Sequence, residues 1–142
     1  MTTASLASSP VVTRRGPHFA LWGAQVLLAV AFVGAGLMKA TTPIEQLAAQ
    51  MSWVAQVPPA LVRFIGVAEL LGAAGLVLPA ATRILPVLTP IAAAALALVM
   101  VLAGGTHVAL GEAPMVIANV VIGAVAVFIA WGRFRHTPIA PR

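Results

Sequence analysis

"RFIGVAELLGAAGLVLP", residues 63–79, is apolar almost throughout, yet Glu69 stands near its middle. The whole chain of 142 residues has only three acidic side chains, so this one asks for a reason. The medium around the stretch supplies it. Hydrophobic residues make up 61% of the chain and charged residues 8%, with a mean hydropathy of +1.06. A water-soluble domain carries roughly a quarter charged residues to face solvent. A chain of this length cannot hide so much apolar side chain in one aqueous core. The composition therefore predicts a one-domain integral membrane protein.

Four runs are long enough to cross a bilayer, which takes ~20 residues of helix. They cover about residues 19–40, 60–79, 85–104 and 114–132. Pro86, Pro90 and Pro114 fall in first turns, where a missing amide donor disturbs a helix least. The first run has a basic front, but its apolar part is longer than a signal peptide's and shows no clear cleavage site, so a retained span is expected. The predicted fold is all-α: an antiparallel bundle of four transmembrane helices within residues 17–135. Tails over 1–16 and 136–142 are expected to be disordered.

The net charge of +5 points to the membrane and away from nucleic acid, because the basic residues flank apolar runs and form no long cluster. Arg14, Arg15, Arg83, Arg133, Arg135 and Arg142 share one side, against Lys39 and Arg63 on the other. The positive-inside rule then predicts a multi-pass plasma-membrane protein with both termini cytoplasmic. Trp22 and Trp131 would mark the inner interface and Trp53 the outer one. The chain has no cysteine, which excludes disulfides, thiolate metal sites, iron–sulfur clusters and a CxxC redox pair.

Between the first two spans, residues 43–56 show helical periodicity. Ile44, Leu47, Ala48, Met51, Val54 and Ala55 would form one face of a short amphipathic helix on the outer surface, stopped by Pro58 and Pro59. Thr42 and Glu45 have the spacing of a capping box, with Pro43 at the first helical position.

Glu69 lies about ten residues into its span. A charge there costs on the order of 2.5–3.5 kcal/mol, so it should face the bundle. Gly66, Gly72 and Ala73 lie on the same face and make a groove in which a neighbouring helix can come close. Side chains lean toward their helix N-terminus. Lys39, ending an outgoing span, therefore leans into the membrane, while Glu69 leans outward to meet it. Arg63 leans away toward water. The axial gap of ~10 residues leaves room for a bridging water or third side chain. The alternative is a protonated, unpaired Glu69.

Thr106, His107 and Glu112 in the third connection, and Asn119 in the fourth span, add polar groups at the same outer end. The inner half offers Gln25 and Thr89. This asymmetry predicts a shallow polar pocket opening outward beneath the amphipathic segment. Each member also has a plain structural reading: His107 as an interface residue, Asn119 as a helix–helix bond, Glu112 as a helix N-terminal charge. Of the three histidines only His107 is on the outer side, which leaves no metal set.

"GAGLMK" closing the first span, "GVAELLGAAGLVLP" in the second, and "H…GE" and "FIAWGR" later resemble the DoxX-like family of small four-helix membrane proteins, over about residues 34–133. The resemblance places Lys39, Glu69, His107 and Asn119 at the family's polar positions inside the bundle. It implies a link to thiosulfate:quinone or quinol-oxidising complexes, or an accessory role in redox-stress or receptor assemblies. No cofactor motif is evident, and quinone enters through the resemblance.

Three functions are therefore expected, in this order. The first is a non-catalytic accessory subunit partnered with a soluble or membrane redox enzyme. The second is a quinone or small-molecule site with a proton-active Glu69, relayed by His107 and tuned by Lys39. The third is a transporter or channel, which at four spans per chain would need a homo-oligomer. Arg63 and Glu112 complete the candidate polar site.

Overall fold

The computed structural model describes residues 15–142, so the tail expected over 1–16 lies outside it except for Arg15 and Gly16, which are already helical. Five α-helices follow in order: α1 Arg15–Thr41, α2 Ile44–Gln50, α3 Pro59–Thr82, α4 Leu88–Ala109 and α5 Ala113–Trp131. A 3-10 turn, Ser52–Gln56, follows α2, and a π turn, Gly132–His136, closes α5. Among the described residues there is no strand. α1, α3, α4 and α5 are each long and apolar enough to cross a membrane. Leu27, Phe64, Leu71 and Val101 project from them at about 70% exposure, as lipid-facing side chains should.

The bundle is antiparallel. α1 packs on α3, α3 on α4 and α4 on α5, and α5 makes a lighter return contact with α1. Burial recurs at helical spacing: Val62, Gly66, Glu69, Ala73, Leu76 and Ala80 on α3, and Thr89, Ala93, Leu96, Ala97 and Met100 on α4. These stripes meet in one apolar core with Leu28, Ala29 and Phe32 of α1 and Ala126 and Ile129 of α5.

Glycines set the closest approach. A Cβ on Gly36 would lie 2.8 Å from the Gly66 carbonyl oxygen, and one on Gly66 would lie 2.9 Å from the Gly36 oxygen. The α1 and α3 backbones thus touch at this level. The small face of α3 is shared, since a Cβ on Gly72 would strike Leu96 of α4.

Helix ends differ from the sequence expectation for physical reasons. α3 runs on past Pro79 to Thr82 and stops where Arg83 adopts a left-handed conformation (φ 60). Pro86 belongs to that turn, and α4 starts two residues later. The segment 43–56 is not one amphipathic helix. Met51 is extended (φ −133) and divides it into α2 and the 3-10 turn. Leu47 and Val54 still point inward, but Ala55, expected on the apolar face, is exposed. Nor does the capping box form. Pro43 is the N-cap with ψ 139, and no side chain caps the helix. The backbone enters α2 one residue later than the motif requires.

Candidate functional site

The close contact of α1 with α3 fixes what faces Glu69. Gly36 and Gly66 are level, so in an antiparallel pair Lys39 is level with Arg63. Glu69 then lies about six residues, or ~9 Å, below Lys39 along the axis. Inward lean of the lysine and outward lean of the glutamate cover that distance. Lys39 Nζ donates to both carboxylate oxygens, at 2.9 Å to Oε1 and 2.8 Å to Oε2. No bridging group is needed, because tight glycine packing removes the gap that span boundaries alone suggest. Lys39 is 8% and Glu69 3% exposed, so the pair is shut away from both solvent and lipid.

Arg63 takes the other role its position allows. Its guanidinium donates to the Lys39 carbonyl at 2.5 Å and to the Thr42 carbonyl at 2.7 Å. Those are carbonyls at the C-terminus of α1, which lack helical partners of their own. The arginine therefore caps the helix that presents Lys39, and it ties α1 to the first turns of α3.

The expected polar pocket beneath the amphipathic segment is filled. Leu47 and Val54 insert against Val62, with Met38, Ile44, Met51 and Trp53 around them. Residues 43–56 thus close this end of the bundle as a lid, with an apolar plug on its inner face. A separate polar latch holds the lid from above. Glu112 accepts from the Ser52 hydroxyl through one oxygen and meets His107 Nδ1 at 2.5 Å through the other. The Ser52 hydroxyl and then His107 hold the Glu112 carboxyl below its ordinary value of 4.5.

Asn119 stands apart from this cluster. Its amide donates to the Met115 carbonyl at 2.8 Å, one turn back on its own helix. It lines a cavity of about 490 Å³ on the α4–α5 face, with Ala97, Gly104, Gly123 and Ala124. The side chain has satisfied its donor locally and does not reach the buried pair.

At the termini end the structure adds a residue that sequence reasoning treated as a flanking charge. Arg133 is 3% exposed. Its Nε donates to Gln25 Oε1 at 2.6 Å, and Gln25 Nε2 donates to the Leu76 carbonyl at 2.6 Å. Arg133 also lies over the Trp22 ring, 5.6 Å from its centroid. Its signal was present in the sequence: Ala126, Ile129, Ala130 and Arg133 recur at i, i+3, i+4 and i+7, the buried phase of α5.

The bundle thus has two polar layers, Lys39–Glu69 at the lid end and Gln25–Arg133 at the termini end. Phe32, Ala73, Leu96 and Ile129 lie between them. Among the described residues no three His, Asp or Glu side chains gather as a metal would require.

A model of the DoxX-like family matches residues 23–129, three quarters of the chain. The chain belongs to the DoxX-like family. No curated protein and no solved structure matches it. In this DoxX-like chain the matched region holds Gln25, Lys39, Arg63, Glu69, His107, Glu112 and Asn119. Arg133 lies beyond it.

Proposed function

We propose that this DoxX-like protein is a non-catalytic accessory subunit of a quinone-linked redox assembly, set in the plasma membrane with both termini cytoplasmic. The observation that carries the reading is the lipid-facing groove between α4 and α5. Small residues, Gly104, Gly123, Ala97 and Ala124, line it beside the half-buried Asn119. Such a seam suits the close approach of a second membrane helix, with the Asn119 side-chain oxygen, which its own helix does not use, left to accept a bond across it. The quinone link rests on the associations of the family. The cytoplasmic assignment rests on the surplus of arginine at the termini end.

The same geometry weighs against the other readings. Both oxygens of Glu69 are engaged by one ammonium, which suits a structural carboxylate better than a proton carrier. The apolar layer between the two polar ones interrupts any path through a single chain.

The test is purification of the tagged full chain from its native membranes in mild detergent, assaying each fraction for reduction of a soluble quinone analogue with thiosulfate as the electron donor. Quinone reductase activity should co-elute with the chain and be lost with Gly104→Leu. A Cβ at Gly104 makes only an ordinary 3.8 Å contact with Asn119, and an unchanged melting temperature of the variant is required as the check that leucine fills the groove without parting the helices. Elution without the activity contradicts the proposal. Bound quinone that disappears with Glu69→Gln would replace it with the quinone-site reading.

A further inference from the structure

Arg133 has more donors than the described residues satisfy. Nε is well used by Gln25. Nη1 has only long contacts, 3.5 Å to His18 Nδ1 and 3.3 Å to the Thr137 carbonyl. Nη2 is buried and has no partner among the described residues. No described carboxylate pairs with the guanidinium. The chain's three acidic side chains, Glu45, Glu69 and Glu112, all belong to the lid half. Thr89, at the same end as Arg133, also has a buried hydroxyl without a partner among the described residues. A permanently charged group left unpaired in a membrane protein is costly. An arginine in that state is a strong receptor for an anion with two adjacent oxygens.

Beside Arg133 lies a cavity of about 350 Å³, walled by Leu85, Val87, Pro90, Phe134 and Ile139. Its size is that of a small-ligand site, and it is apolar apart from the arginine. It sits where α5 ends and α4 begins, at the termini end of the bundle. The exposed Arg83, Arg135 and Arg142 occupy the same end.

We propose that this cavity binds the phosphodiester of an anionic membrane phospholipid. The Arg133 guanidinium turns toward the cavity it lines, so that its free N–H groups meet the phosphate oxygens while the glycerol and upper acyl carbons lie along the apolar wall. A zwitterionic lipid offers the same phosphate but brings a cation among the surrounding arginines, so it is disfavoured. The site is independent of the proposed redox role, because it faces neither the α4–α5 groove nor the buried pair.

The experiment is native mass spectrometry of the delipidated full chain, titrated with phosphatidylglycerol or phosphatidylcholine in mixed micelles, with inorganic phosphate as a third arm. Phosphatidylglycerol should be retained about tenfold more strongly than phosphatidylcholine, because the choline cation meets like charge from Arg83, Arg135 and Arg142. Arg133→Gln should remove the retention of both lipids, since it takes away the group that holds their common phosphate. Since Arg133→Gln also disturbs Gln25, Ile139→Trp serves as the second variant: it fills the cavity away from the Gln25 network. It should lose lipid retention while unfolding without lipid as the parent chain does. Equal retention of the two lipids, or full retention by Ile139→Trp, overturns the proposal. Inorganic phosphate competing fully at millimolar levels assigns the site to free phosphate and overturns the lipid assignment.

Discussion

Glu112 joins the lid to the end of α4 through one carboxylate, since Ser52 and His107 occupy its two oxygens. Its folded-state value lies below the ordinary 4.5. A depressed carboxyl favours the folded lid above the unfolded value and loses that contribution as pH falls through the folded one. The lid contact should therefore persist from neutral pH to about 4.5 and loosen below it. Trp53 fluorescence in a Trp22→Phe/Trp131→Phe background would follow this, and Glu112→Gln should remove the transition. At the other end, Gln25→Leu should cost roughly 2–3 kcal/mol in detergent unfolding, because it strands both Arg133 Nε and the Leu76 carbonyl. The direction of the Lys39 and Glu69 side chains was legible in the sequence, since helix polarity dictates lean. Arg133 was not recognised because a basic residue after an apolar run looks like a snorkelling flank. Only the phase it shares with Ala126 and Ile129 turns it inward.

Packing at element scale rests on α1 against α3. Gly66→Ala would press a methyl to 2.9 Å from the Gly36 oxygen and the Ala40 nitrogen, and backbone cannot step aside as a side chain can. A destabilisation of about 1–3 kcal/mol is expected. Gly34→Ala, with nothing within 4 Å of the new Cβ, should be neutral or gain up to about 1 kcal/mol from helix propensity. Comparing the two variants by thermal unfolding separates packing from propensity. The four long helices were readable from hydropathy alone, with ends off by a few residues where α3 continues through Pro79. The lid was harder. Its period announces a helix, but the extended Met51 and the Pro43 cap follow from docking onto Val62, a tertiary contact that no local pattern records.

As a whole, the molecule separates two polar layers by an apolar one, and the glycine contact between α1 and α3 sets the register that lets the upper layer form. The family and the four-span bundle were both accessible from order and spacing along the chain. The filled space under the lid was not, since side-chain volume there depends on how α2 folds back. The claim on which the account turns is that Lys39 and Glu69 form one coupled unit. A double-mutant cycle of unfolding free energies in mixed micelles, using Lys39→Met, Glu69→Gln and the pair together, tests it. Each single variant should lose about 3–5 kcal/mol by stranding the other charge, and the double variant should lose clearly less than their sum. Strictly additive losses would contradict the coupling, and so would single variants as stable as the parent.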